Sequence, residues 1–258
     1  MEVIILCGGQ GTRLREETVF RPKPMVQIGD RPILWHIMKY YASFGHHEYV
    51  LSLGYKGDQI KEYFWHYELM NSDVTLELGK PQSMQIHHSH PELGWKVTLA
   101  HTGHEALKGA RLKKVERHVQ GDTFMLTYGD GLADVDLDQL LEFHRSHGKI
   151  ATVTGINPAS RFGELRIEGA QVQSFREKPR STTQLVNGGF FVFNRAIFNY
   201  VTADDSCDLE IGPLDDLARA GELMVFKHPG NWASMDTDRD RTYLNGLWSN
   251  GKAFWKRW

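Results

Sequence analysis

Cysteine is scarce in this chain: Cys7 and Cys207 are the only two. One pair cannot build a disulfide framework, so the fold must rest on an apolar core, as expected of a protein in a reducing cytosol. Charge of one sign is not in excess either. Thirty basic against thirty-two acidic residues leave a formal net charge of −2. That balance excludes a general attraction to nucleic acid or anionic lipid, and it makes any recognition of phosphate a local matter. No run approaches the roughly 18 apolar residues of a membrane span. Met1 to Leu6 lacks a basic leader and runs straight into glycines, unlike a signal segment. With no internal repeat and no low-complexity linker, residues 1–258 read as a single cytoplasmic domain.

What is present alternates. Val3 to Cys7, Tyr49 to Leu53, Phe124 to Thr127 and Ala151 to Gly155 are short continuous apolar runs, as strands buried on both faces require. Between and after them lie helical stretches at Pro32 to Tyr41, Lys56 to Tyr67 and Leu137 to His147, the first opening on a proline that suits an initial helical turn. Strand and helix in alternation predict an α/β fold, a mostly parallel sheet with helices on both faces. Two regions break the rhythm. Residues 73–102 carry alternating, polar-rich strands (Val74 to Leu78, Met84 to His88, Lys96 to His101) around Pro81 and Pro91, which predict an antiparallel ribbon insertion. Gly163 to Phe193 holds three further short strands, and helices are expected near Pro213 to Ala220 and from Asp238 to Trp248.

The first strand ends in Gly8-Gly9-Gln10-Gly11-Thr12-Arg13-Leu14. Without Cβ atoms, backbone N–H groups can close around phosphate oxygens, and Arg13 can fork onto one of them. A dinucleotide loop would need a small residue where Leu14 stands, and no Gly-Lys-Ser/Thr follows, which excludes two common phosphate-binding loops. A ligand-free glycine turn is the competing reading. Next comes Arg21-Pro22-Lys23-Pro24-Met25. Two prolines stiffen the backbone around Lys23 and lower the entropic cost of holding its ammonium at one point. Taken alone, a lysine in a surface turn would be ordinary; beside the loop it suggests a fixed cation for a polyphosphate.

These two segments together resemble the signature of the sugar-phosphate nucleotidylyltransferases. Later segments extend the resemblance over nearly the whole chain: Val97-Thr98-Leu99, Arg111-Leu112-Lys113, Thr127-Tyr128-Gly129-Asp130-Gly131, Asn187-Gly188-Gly189-Phe190 and Met235-Asp236-Thr237. The resemblance implies a Rossmann-like sheet with a small sugar-binding β region at about 156–236. It implies a Mg2+-dependent enzyme and a homo-oligomer built through the ribbon. Its middle segments imply transfer of a cytidylyl group from CTP to α-D-glucose 1-phosphate, giving CDP-glucose and pyrophosphate. A uridylyl or thymidylyl transferase, a different phosphorylated acceptor, and a catalytically silent nucleotide-sugar sensor are the competing readings.

Residue by residue, the resemblance assigns Leu6, Gly8, Gly9, Gly11, Thr12, Arg13, Lys23, Arg111 and Gly129 to the nucleotide. Asp130 follows an apolar strand, where a parallel sheet presents its ligand-binding edge, and hard carboxylate oxygens suit Mg2+. The resemblance favours Asp236 as its partner, leaving Asp238 as the cap of the last helix. The bland alternatives are a turn-former at Asp130 and a helix cap at Asp236. The phosphate oxygen that attacks the triphosphate is already anionic, so alignment and charge neutralisation by Arg13, Lys23 and Asp130-bound metal replace a general base.

A guanidinium at Arg111, on a helix facing a solvent-filled groove, can donate to the O2 and N3 acceptors of cytosine, which uracil does not match. A surface arginine is the alternative. The family's ligand-contacting serine before this helix is here Ala106. Glu177 and Lys178, with Asn187 and Gly188, resemble the sugar-phosphate side of the site; a charged turn before a hairpin is the alternative.

Two constellations read as ordinary. His87-His88-Ser89-His90 lacks cysteine or further clustered ligands, and adjacent strand histidines point to opposite faces, which argues against zinc. Trp248, Trp255 and Trp258 among Lys252, Lys256 and Arg257 are expected to pack a C-terminal tail onto the body or a neighbouring subunit rather than to bind RNA or a membrane, and Cys7 to be a small core residue.

Overall fold

Apolar side chains on a strand alternate between its two faces, so a run that is apolar throughout needs cover on both. In the computed structural model, which describes residues 1–258 except 81–82, 89, 158–163, 169 and 177–184, strand β1 (Glu2–Cys7) has that cover. Val3, Ile5 and Cys7 join one apolar cluster and Ile4 and Leu6 the other. The sheet around it contains β2 (Glu48–Leu53), β3 (Lys96–His101), β4 (Thr123–Tyr128), β5 (Ala151–Ile156), β6 (Val186–Asn194) and β7 (Leu223–His228). Their order across the sheet is β7-β5-β6-β4-β1-β2-β3. Pairing is parallel from β4 through β1 and β2 to β3 and again between β5 and β7, while β6 runs antiparallel to both neighbours. This is the expected mostly parallel α/β sheet, with helices α1 (Ile33–Ala42), α2 (Gly57–Trp65), α3 (Tyr67–Asn71), α4 (Lys108–Lys114), α5 (Leu137–His147), α6 (Pro213–Arg219) and α7 (Asp238–Ser249). None is long and apolar enough to cross a membrane.

Three expectations need correction. Lys96–His101 is not part of an antiparallel ribbon; it is the parallel edge strand of the main sheet, in register with Glu48–Leu53. Its pattern reflects an edge position with partial cover, Val97 and Leu99 against one apolar cluster and Ala100 in the other, which sequence pattern does not separate from a hairpin strand. The ribbon itself is Asp73–Thr75 paired with Gln85–His87. The helix expected over Lys56 to Tyr67 is broken at His66 into α2 and α3. Pro32 precedes α1 in extended conformation rather than entering its first turn.

The tail packs as expected and anchors α1. Trp255 is fully buried, and its Nε1–H donates to His36 Nδ1 at 3.4 Å while His36 Nε2–H donates to the Ile28 carbonyl at 2.9 Å. Both ring nitrogens are used, and that pattern needs the neutral tautomer. Burial lowers the His36 pKa to about 4, against the opposing pull of the Ile28 carbonyl. An unfolded chain takes up a proton here that the folded chain refuses, so stability falls as pH drops from the ordinary histidine value of about 6.5 towards about 4. Urea unfolding across that window should show the decline. A His36→Gln variant should show a shallower slope, the remainder belonging to other buried histidines such as His144, whose pKa is likewise lowered by burial.

Candidate active site

The carboxyl ends of β1 and β4 meet at one point, and glycine makes the meeting possible. Gly129 N–H donates to the Leu6 carbonyl at 3.1 Å. A Cβ on Gly129 would come within 2.9 Å of both that carbonyl oxygen and Pro24 Cγ. A larger residue there would push β1, β4 and the Lys23 turn apart. On the β1 side, Gly11 adopts φ +64 to start the short 3-10 turn Thr12–Leu14, and Thr18 Oγ–H closes the loop by donating to the Gly11 carbonyl at 3.0 Å. A single helical turn, Arg15–Thr18, follows, and the chain returns through Pro22, extended at φ −67, into the turn Lys23–Met25.

The side chains gathered by this junction are charged and mutually compensating. Lys23 Nζ lies 2.5 Å from Asp130 Oδ2 and 2.7 Å from Asp236 Oδ1. Arg13 Nη2 lies 2.9 Å from the same Asp236 oxygen, and Ser234 Oγ–H donates to the other at 2.9 Å. Asp236 reaches the site because Trp232–Ser234 pairs antiparallel with Gly131–Ala133 and Met235 N–H donates to the Asp130 carbonyl at 2.9 Å. Burial opposes the Lys23 ammonium, but the Asp130 and Asp236 carboxylates outweigh it and hold its pKa above the ordinary lysine value. Burial likewise opposes the Asp236 carboxylate, and hydrogen bonds from Lys23 and Ser234 with the Arg13 charge bring its pKa below the ordinary range.

The helix after Asp236 is capped by Thr237, not by Asp238. Thr237 Oγ1 accepts from Asp240 N–H, while Asp240 Oδ2 accepts from the backbone N–H groups of Asp236 and Thr237. This is a capping box written Thr-x-x-Asp. Asp238 instead pairs with Arg241 within the first turn, and Asp236 keeps its carboxylate for the site.

Beside these groups opens a cavity of about 540 Å3, which the glycine loop, Arg13, Lys23, Asp130 and Asp236 all border. Leu6, Gly8, Gly9, Gly11, Thr12, Gly129, Arg111 and Asn187 also line it. Gly188 contributes its carbonyl to Trp232 Nε1–H at 2.7 Å. Glu177 and Lys178 lie outside the described residues.

Arg111 departs from expectation. It is not on a solvent-facing groove but 4% exposed. Nη1 donates to Thr102 Oγ1 and the Gly103 carbonyl, each at 2.8 Å, and Nη2 to the carbonyls of Gly8 at 3.0 Å and His104 at 3.2 Å. The guanidinium thus clamps the glycine loop to the segment after β3, and a Cβ on Gly8 or Gly54 would overlap it. The physical reason is tertiary: Gly109 to Leu112 of α4 are all buried, so the helix turns Arg111 inward.

The cavity wall also joins Asn187 and Tyr128, both within motifs, to two residues that no motif marks, Glu210 and Lys108. Asn187 Nδ2–H donates to Tyr128 Oη at 3.0 Å, and Tyr128 O–H donates to Glu210 Oε1 at 2.5 Å. Lys108 Nζ stands 2.6 Å from Glu210 Oε2. Burial, with Asp208 alongside, pushes the Glu210 carboxyl above the ordinary range. Glu210 comes from an irregular loop between Asp205 and Gly212, where only a cluster of acidic residues signals anything.

Removing the clamp should destabilise the fold. Arg111→Ala leaves several carbonyls without their donor, and Arg111→Lys cannot reproduce the fork, so each should cost on the order of 3 kcal/mol. Urea denaturation of both variants measures it, and wild-type stability in either would mean that the clamp carries no weight.

The same architecture and sequence recur in known proteins. A family model described as "Nucleotidyl transferase" matches residues 2–232. Over 259 residues, covering 100% of both chains, the sequence is 50% identical to the glucose-1-phosphate cytidylyltransferase of Salmonella typhi. It is 42% identical over 258 residues, again 100% of both chains, to the probable glucose-1-phosphate cytidylyltransferase of Bacillus subtilis (strain 168). The crystal structure of HddC from Yersinia pseudotuberculosis shares the fold, with a TM-score of 0.67 at 23% identity over 96% of this chain and 99% of that one. A family match spanning most of the chain, joined to full-length relatives of this identity, settles the relationship: the chain belongs to the nucleotidyl transferase family.

Proposed function

We propose that this protein transfers a cytidylyl group from CTP to α-D-glucose 1-phosphate, with release of pyrophosphate. The observation that carries the chemistry is one ammonium, Lys23, held between two carboxylates, Asp130 and Asp236, at the mouth of a glycine loop. The identity of the substrates rests on the full-length likeness to relatives named for that reaction.

The carboxylate pair fits a divalent cation. Asp130 and Asp236 offer hard oxygens converging on one point, and the set contains no soft or imidazole donor, which suits Mg2+ bound to substrate phosphates. When bound, Mg2+ supplies neutralisation of the charge on the triphosphate and on the departing pyrophosphate. The chain's own groups do the rest. Backbone N–H groups of Gly8, Gly9 and Gly11 cradle phosphate oxygens, with Thr12 beside them. Arg13 and Lys23, the two cations beside the loop, meet the charge of the phosphates. One non-bridging oxygen of the sugar phosphate then forms a bond to the α-phosphorus as the α–β bridging bond breaks, and the bonding pair leaves with pyrophosphate. No proton needs to be removed, so alignment and charge account for the rate.

Asn187, with the Gly188 backbone, Glu177 and Lys178, is assigned to the sugar phosphate, Lys178 meeting the phosphate itself. Arg111 supports base recognition from below: its fork holds the Gly8 carbonyl and the 102–104 segment, and so shapes the wall the base meets. Association of copies through the ribbon accompanies this reading, supported by Leu76, Leu78 and Met84, which the ribbon leaves exposed. The two free cysteines, Cys7 buried, go with a cytoplasmic setting.

Pyrophosphate release measured over a panel of triphosphates and sugar 1-phosphates tests the substrates: CTP with glucose 1-phosphate should exceed every other pair in kcat/KM, and a better pair would overturn the assignment. For the site, Lys23→Ala should lose about 2–4 kcal/mol of transition-state stabilisation, the usual range for a preorganised charge donor. Asp130→Asn or Asp236→Asn should abolish most turnover while circular dichroism stays unchanged, and EDTA should do the same to the wild type. Full activity of either Asn variant at ordinary Mg2+ removes that residue from the metal site.

A further inference from the structure

Far from the active site, at the base of the ribbon, three side chains aim at one point. His88 Nδ1 lies 3.0 Å and His90 Nε2 2.8 Å from Glu68 Oε2, and one ligand atom from each of the three falls within 4.8 Å of the others. The histidine tract reads as unsuited to metal because neighbouring strand residues point to opposite faces. The strand Gln85–His87 ends at His87, which turns to Thr75 Oγ1 at 3.1 Å, and beyond it His88 and His90 are free of strand alternation and both turn to Glu68. The missing third ligand is remote in sequence and is supplied by α3.

We propose that Glu68, His88 and His90 form a zinc site, distinct from the Asp130–Asp236 pair, that staples the ribbon to α3. Two imidazoles and a carboxylate are a set that Zn2+ takes with three protein ligands and one water. Imidazole nitrogen favours Zn2+ over Mg2+, so the two sites sort their metals by ligand chemistry. Tetrahedral bonds of about 2.0–2.1 Å set donor atoms roughly 3.3 Å apart. Two of the three separations already lie near that value, so only a small closure of the histidines is needed. His90 is nearly buried, and behind it Glu92 Oε2 stands 3.5 Å from Nδ1, its other oxygen held by Lys39 Nζ at 2.6 Å. A ligating histidine backed by a carboxylate is the usual means of fixing ring orientation. Nδ1 now accepts from the Glu92 backbone N–H at 3.3 Å, so metal binding at Nε2 would move the ring proton from Nε2 to Nδ1, which would then donate to this carboxylate. The staple would close a loop containing the whole ribbon, Asp73 to His87, and restrain it.

The test is titration of the intact protein with Zn2+ in millimolar Mg2+, which keeps the active-site carboxylates occupied, followed by calorimetry and hydrogen exchange. The expected result is one equivalent bound with micromolar or tighter affinity, slower exchange across residues 73–87, and visible bands of tetrahedral type when Co2+ replaces Zn2+. His88 is half-exposed, so His88→Ala and Glu68→Gln keep the fold and should each lose on the order of a hundredfold in affinity, at least as much as supporting residues of zinc sites lose. His87→Ala should bind as the wild type does. Absence of Zn2+ binding, equal affinity in the His88 and Glu68 variants, or a loss in His87→Ala as large as theirs would each overturn the site. None of these readouts depends on transferase activity, so they stand apart from the proposed reaction.

Discussion

Lys23 and the two aspartates on either side of it hold the site together as a charge balance. An ammonium with its side chain only 12% exposed would be costly alone, and so would two carboxylates brought to within hydrogen-bond distance of one point. Each makes the others tolerable. Because the compensation is mutual, the three elements that carry them must arrive at the same place. The strand Trp232–Ser234 is therefore tied to the end of β4 by pairing with Gly131–Ala133 and by the Met235 N–H, and the Pro22–Met25 turn can approach β4 only because Gly129 has no side chain to meet Pro24. The net charge of the trio is −1 at neutral pH, and Arg13 cancels it.

The same economy explains the position of Arg111. A loop built largely of glycine has few side chains with which to hold its own shape. The Arg111 fork, buried and turned on the carbonyls of Gly8, Gly103 and His104, supplies that shape from outside the loop. Elsewhere on the cavity wall the chain Asn187–Tyr128–Glu210–Lys108 does similar work, with β6 and the loop before α6 as its supports. The antiparallel β6 is what carries Asn187 to β4, since a parallel strand at that position would present its other end.

Much of this was legible in order along the chain. The continuous apolar run of β1, the glycines after it and the proline-flanked Lys23 are local features, and local features announce themselves: periodicity reports burial on both faces, and glycine and proline report backbone constraint. The α/β alternation was legible for the same reason. Lys96–His101 was misread because an edge strand and a ribbon strand share one alternating pattern, and only the partner, β2, distinguishes them. The Thr237 cap is written in the letters Thr-x-x-Asp, but Asp238 beside it is an equally good capping residue by type, and only the backbone geometry separates them.

By itself the sequence determined the fold class, the glycine turn after the first strand, the proline-flanked lysine and the aspartate after the fourth strand, because each depends on neighbours within a few positions. Tertiary structure alone decided which groups share a point. Asp130 and Asp236 are 106 residues apart, Arg111 and Gly8 are 103, and Glu68 reaches His88 and His90 across a ribbon. Side-chain direction on a helix or strand is a matter of what the rest of the chain buries, and no local pattern records whether an arginine such as Arg111 meets water or a ring of carbonyls.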